Sequence, residues 1–117
     1  MNVYGSSNII SNIEISAGTG HGLEITGSNV VVDSATIYGR PEVAAQITGD
    51  RNVVSNSNIS DNPNSGLAIQ YGSGSRVANS RLLRNGIGLA LNGTQEVVVS
   101  SDNAFAGSDT LLYERRK

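Results

Sequence analysis

The sequence contains no cysteine and no tryptophan, and only one phenylalanine and four tyrosines in 117 residues. Without cysteine there is no disulfide framework and no thiolate metal site. With so few rings, a conventional globular core would be thin. Charge is also scarce. Charged residues are 15% of the chain and the formal net charge is -2, so the basic face that a nucleic-acid binder needs is missing. No run of 18 apolar residues exists, so no membrane-spanning helix is expected. Met1–Ser7 lack the charged and apolar regions of a signal peptide. The length fits one domain, spanning residues 1–117.

What the chain does have is 14 glycines and a repeat. Apolar residues recur 22 positions apart in the column Leu23, Ala45, Leu67, Leu89, Leu111. A second column runs Val3, Ile25, Ile47, Ile69, Leu91, Tyr113. A third is Ile10, Val32, Val54, Val77, Val99, and a fourth is Ile15, Ile37, Ile59, Leu82, continued by Phe105 or Ala104. The last two columns slip by one residue near Gly72–Ser75, and a shorter turn at Arg84–Gly86 recovers the frame. Corners that absorb length changes while strand columns keep register are the mark of a coiled solenoid.

Between corners the strands are short and alternating. Leu23-Glu24-Ile25 and Leu67-Ala68-Ile69 each place two apolar side chains on one face and one side chain on the other. Gly, Asn, Ser and Asp mark the corners. No segment sustains a 3.6-residue period, which excludes helical repeats. The expected fold is all-β: a parallel β-helix (β-solenoid) of about five 22-residue coils, forming a rod roughly 24 Å long at about 4.8 Å per coil.

The polar column Asn12, Ser34, Asn56, Asn79, Ser101 predicts a hydrogen-bonded ladder at one corner. A row of sugar-binding groups is the functional alternative. His21, Tyr38, Arg40 and Glu42, with Glu24 on a neighbouring strand, make the densest ionisable patch. In a catalytic reading His21 or Tyr38 is the acid/base and Arg40 holds a substrate carboxylate. An ordinary polar face with a local ion pair explains the same residues. Glu24, Glu42, Gln46, Arg51, Tyr71 and Arg76 are candidate ligand contacts; the arginines Arg51, Arg76, Arg81 and Arg84 could form a basic strip beside Tyr71. No metal or other cofactor is expected. The aspartates are scattered over corners, a calcium site needs convergent oxygens, and the GGxGxDxUx nonapeptide is absent.

The period and style of the repeat resemble the right-handed parallel β-helix of the pectate-lyase-like superfamily. Handedness follows from that resemblance and from the chirality of parallel crossovers. Within the superfamily, Ile37-Tyr38-Gly39-Arg40-Pro41-Glu42-Val43-Ala44-Ala45-Gln46, Asn56-Ser57-Asn58-Ile59-Ser60 and Asn64-Ser65-Gly66-Leu67-Ala68-Ile69-Gln70 resemble the later coils of mannuronan C5-epimerase catalytic modules. That family inverts C5 of mannuronate within alginate, often with calcium. Its catalytic Asp-Pro-His segment has no counterpart here. The resemblance therefore implies a C-terminal part of such a module, binding acidic polysaccharide on its outer face without the catalytic centre. A second resemblance, to phage tailspike shafts, implies a structural or assembly segment instead. Either implies an extracellular or virion-associated setting.

Neither end carries an amphipathic helix to cover the core, so the chain reads as a fragment or terminal part of a longer β-helix, or as one that self-associates through its uncapped ends. The basic tail Glu114-Arg115-Arg116-Lys117 would blunt the C-terminal edge, leaving the N-terminal edge for association.

Overall fold

The structure, a computed structural model, describes residues 1–16, 18–94, 96–107 and 110–115, the last six as backbone only. Its strands are β1 (Asn2–Tyr4), β2 (Ile9–Ser11), β3 (Glu14–Ile15), β4 (Leu23–Thr26), β5 (Val31–Asp33), β6 (Thr36–Tyr38), β7 (Val43–Thr48), β8 (Val53–Ser55), β9 (Asn58–Ser60), β10 (Ser65–Gln70), β11 (Arg76–Ala78), β12 (Arg81–Leu83), β13 (Ile87–Asn92), β14 (Val98–Val99), β15 (Ala104–Ala106) and β16 (Thr110–Arg115). Every third strand joins the same sheet. Sheet A is β1-β4-β7-β10-β13-β16, sheet B is β2-β5-β8-β11-β14, and sheet C is β3-β6-β9-β12-β15. All pairings are parallel. The chain is a parallel β-solenoid of five coils, with β16 opening a sixth strand position on sheet A. With extents of 28 × 26 × 24 Å it is as wide as it is long, not the rod that the repeat suggests.

The apolar columns form the core. Sheet A contributes Leu23, Ile25, Ala45, Ile47, Leu67, Ile69, Leu89 and Leu91, sheet B Val32, Val54 and Val77, and sheet C Ile37, Ile59 and Leu82, all buried. The slip and its recovery are where the repeat places them: Val54 pairs with Val77 and Ile59 with Leu82, 23 residues apart, and sheet A returns to 22 with Leu67 opposite Leu89. Phe105, not Ala104, continues the fourth column opposite Leu82. The last coil corrects the first two columns. Leu89 pairs with Leu112 and Leu91 with Glu114, rather than Leu111 and Tyr113. The cause is one extra residue between Val99 and Ala104, which no later turn removes. Arg116 and Lys117 of the basic tail lie outside the described residues.

The corners of coils 2 to 4 turn on residues in the left-handed region, and the A-to-B corners of coils 3 and 4 carry a second positive-φ residue, at Gly49 and Tyr71. Asn29, Arg51 and Gly74 serve between sheets A and B, Ser34, Asn56 and Asn79 between B and C, and Gly39, Asp61 and Arg84 between C and A, with φ from 48° to 75°. The next residue then turns its N–H along the solenoid axis, where the coil above offers no strand carbonyl. A side-chain oxygen from that coil accepts it instead. Val30 N–H donates to Asn52 Oδ1 (2.9 Å) and Asn52 N–H to Ser75 Oγ (3.2 Å). Ala35, Ser57 and Ser80 donate to Ser57, Ser80 and Asn103 at 3.1, 3.2 and 2.8 Å. Arg40 and Asn62 donate to Asn62 and Asn85 at 2.9 and 3.2 Å. The accepting side chains also donate: Asn52 Nδ2 to Gly27 O, Asn62 Nδ2 to Ser60 O, Asn85 Nδ2 to Ile59 O.

The column expected to form a ladder lies one position before the second of these, at the left-handed residue itself. There Asn79 Nδ2 donates to Asn56 Oδ1 (2.5 Å) and Asn56 Nδ2 to Asp33 Oδ1 (2.7 Å), both in exposed settings. Ser34 donates to Asp33 at 3.3 Å. Asp102 accepts the Asn79 N–H at 2.9 Å, taking the rung expected of Ser101. No side-chain bond of Asn12 accompanies them among the described residues.

The coils also touch through backbone. A Cβ at Gly49, where φ is +133°, would sit 1.9 Å from Gly27 O. Asn62 is 0% exposed and bonded on all sides, so Asn62→Ala orphans the Arg40 N–H and is expected to cost about 2–4 kcal/mol. Asn56→Gly, which keeps the left-handed turn and removes only exposed bonds, is expected to cost less than about 1 kcal/mol. Urea melts of the two variants check the difference; equal losses would place the stabilising ladder on the outer column.

Candidate functional site

The candidates occupy three separate places. At the C-to-A corner of coil 1, His21 Nδ1 accepts the N–H of Val43 in the next coil (3.1 Å), which puts the proton of a neutral ring on Nε2, 3.6 Å from Glu42 Oε1. Arg40 reaches into the same corner. Its Nη1 donates to Ser16 O (3.0 Å) and its Nη2 to Thr19 O (2.6 Å) and His21 O (2.9 Å). The Nε is buried without a partner among the described residues. Gly18 makes room for this, since a Cβ there would lie 2.3 Å from Arg40 Nη1. The guanidinium is thus a clamp on the longest corner of the solenoid, with its donors turned onto backbone carbonyls. Tyr38 stands on the outer side of sheet C, opposite Ser60, with 37% of its surface exposed. His21, Arg40 and Glu42 are brought together; what they build is a loop anchor with one histidine–carboxylate contact.

The second place is the outer face of sheet A. Glu24 and Gln46 are neighbours across β4 and β7. Gln46 Nε2 donates to Gln70 Oε1 on the next coil (3.4 Å), beside Ala68, which is only 4% exposed although it faces outward. Two residues along the strands, on the same outer face, runs a column that the sequence reading does not include: Tyr4, Thr26, Thr48, Gln70 and Asn92, in continuous register. Its spacing of 22 was the available signal, hidden because its residue types differ. Tyr4 is 75% exposed at one end. Tyr71 follows Gln70 at the A-to-B corner with a φ of 50°, in a register position that Gly49 and Gly93 fill in adjacent coils. A bulky side chain in that region is strained. Its ring is exposed and lies against Gly93, where a Cβ would be 2.9 Å from Tyr71 Cδ1.

The arginines do not form the single strip that their spacing allows. Arg51 is at the A-to-B corner, with Nε donating to Asn29 Oδ1 (3.2 Å). Arg76 is on sheet B and Arg81 on sheet C. Arg84, at the C-to-A corner, is paired with Asp61 through Nε (2.7 Å) and Nη2 (3.0 Å). The solenoid turns the chain through a full coil within those residues, so each arginine faces a different direction. Among the described residues no three His, Asp or Glu side chains converge.

Two carboxylates are more acidic than the ordinary aspartate value of 3.8. Hydrogen bonds from Asn56, Ser55 and Ser34 hold Asp33 down, and the Arg84 guanidinium does the same for Asp61. A lowered folded-state pKa contributes stability that is complete above the unfolded value and lost as pH falls through the folded one. Asp33→Asn/Asp61→Asn is therefore expected to flatten the profile around and below pH 3.8 by lowering the melting temperature slightly at neutral pH, while the strongly acid end, where the parent has already lost this contribution, stays nearly unchanged. Melting temperature against pH is the measurement; an acid limb as steep as that of the parent would remove these groups from the account.

No characterised protein and no solved structure matches the chain at a significant level. The profile described as the right-handed beta helix region matches residues 1–111. That match covers nearly the whole chain and agrees with the three parallel sheets and the 22-residue coil. The chain belongs to the right-handed β-helix family.

Proposed function

We propose that this β-helix is a polysaccharide-binding module, with the polymer lying along the solenoid axis over the outer face of sheet A. The observation that carries the reading is the unbroken column Tyr4-Thr26-Thr48-Gln70-Asn92, flanked by Glu24 and Gln46 and closed by the strained, exposed Tyr71. Hydroxyl and amide groups repeat there at the strand spacing of about 4.8 Å, close to the length of one sugar unit, so successive units meet equivalent partners. Tyr4 and Tyr71 offer ring faces to pyranoses about three strand steps apart.

Arg51, at the same corner one coil below Tyr71, favours an acidic polymer of the alginate type, which is also what the epimerase resemblance implies. The module would extend a binding surface and add length to a polysaccharide-active β-helix. No catalytic role is assigned to His21, Tyr38 or Arg40, because the cation that a uronate carboxylate needs is occupied by backbone carbonyls. The second reading, a structural or assembly segment of the tailspike-shaft kind, draws on the exposed apolar residues of sheet B.

Binding to alginate oligomers and to neutral glucans, followed by calorimetry, tests the proposal. Tyr4→Ala and Tyr71→Gly are each expected to weaken binding by about threefold to tenfold. Tyr71→Gly relieves the left-handed strain and is expected to leave the melting temperature equal or higher. Arg51→Gln is expected to lower affinity for uronates and not for glucans. Absence of binding to every polymer, or binding indifferent to both tyrosine changes, would overturn the reading.

A further inference from the structure

The outer face of sheet B differs in kind from that of sheet A. Its first column is Ile9, Val31, Val53, Arg76, Val98, in register through β2, β5, β8, β11 and β14. Ile9 is 76% exposed and Val98 54%. The second column is Ser11, Asp33, Ser55, Ala78. A flat parallel sheet with branched apolar side chains in water is costly to leave uncovered. The face holds two charged residues, Asp33 on coil 2 and Arg76 on coil 4. Coil 3, with Val53, lies midway between them.

We propose that sheet B is a homotypic interface, joining two copies face to face about a two-fold axis that runs along β8. Such an axis reverses the direction of the solenoid and keeps that of the strands. It sets coil 1 against coil 5, coil 2 against coil 4, and coil 3 against itself. Ile9 then meets the second copy's Val98, Val53 meets its own equivalent, and Arg76 lies across from Val31 with Asp33 two residues along the same strand. The contact is self-complementary, as a two-fold interface must be. The stem of Arg76 covers Val31 while its head reaches the Asp33 carboxylate, and the symmetry makes this pair twice.

Asp33 has capacity for it. Its Oδ1 accepts from Asn56 (2.7 Å) and Ser55 (3.1 Å), and its Oδ2, among the described residues, from Ser34 alone (3.3 Å). Ala78, opposite Asp33 in the second column, is small enough to let the sheets approach to the usual sandwich spacing of about 10 Å. A second copy rotated about the solenoid axis instead would set Arg76 against its own equivalent and leave both charges unpaired. Five strands about 4.8 Å apart present less than the roughly 800 Å² per partner of a standard interface, so the dimer is a weak one.

Sedimentation equilibrium of the full chain from about 10 µM to about 1 mM tests this. The parent is expected to show a monomer–dimer equilibrium. Arg76→Asp alone and Asp33→Arg alone are each expected to weaken it at least tenfold, because each sets like charges opposite one another. An equimolar mixture of the two variants is expected to regain the parent's association, since the mixed dimer holds both pairs, one as in the parent and one with its sign reversed. Circular dichroism of each variant guards against misfolding, and Arg76→Gln supplies a milder change at an exposed position. A parent that stays monomeric, association that survives both reversals, or a mixture that fails to recover would overturn the proposal.

Discussion

The corner amide is the constraint on which the rest of this solenoid depends. A coil must bend three times in 22 residues, and left-handed residues make the bends. The residue after the bend cannot use the strand ladder, and at Val30, Ala35, Asn52, Ser57 and Asn62 it is buried. An unpaired amide there would cost as much as several methylenes of core packing recover. The chain answers with an oxygen-bearing side chain from the next coil: Asn52 and Ser75, Ser57, Ser80 and Asn103, Asn62 and Asn85. Each accepts from the coil below, and Asn52, Ser57, Ser80, Asn62, Asn85 and Asn103 also donate to a carbonyl, so the residues beside the bends bind the coils together.

Because the corners carry the polar inventory, the strands are free to carry the core. Aliphatic side chains stack on their equivalents in the next coil, and the outer faces are released from structural duty. Sheet A uses that freedom for a polar column that starts at Tyr4 and runs beside Tyr71, and sheet B for an apolar face with one charge of each sign. The corner between C and A in coil 2 is the exception. There the polar position is Arg40, which reaches down to clamp a longer loop through three carbonyls. A residue with the composition of a catalytic cation is consumed in holding backbone.

The 22-residue columns of Leu23, Ile25, Val32 and Ile37 were legible as a parallel solenoid because identical apolar partners must stack when a coil repeats. Register was legible wherever a slip was bracketed by strong columns, as between Val54 and Val77. It failed in the last coil, where Leu111, Leu112 and Tyr113 are all acceptable to an apolar column and only backbone pairing selects Leu112. The corner ladder was legible as a polar column but placed one residue early. Asn12, Ser34, Asn56 and Asn79 are the bending residues; the load falls on Ser57 and Ser80 beside them.

The sequence by itself determined the repeat, the all-β class, the position of corners and the aliphatic core, because all of these follow from spacing between residues of one chemical type. Tertiary structure alone decided which side chains share a surface. Arg51, Arg76, Arg81 and Arg84 are close in sequence and face different ways, whereas Tyr4, Thr26, Thr48, Gln70 and Asn92 span most of the chain and form one column. A solenoid separates neighbours in sequence by a corner and joins residues one coil apart, so the grouping that matters for binding runs perpendicular to the order in which the residues are read.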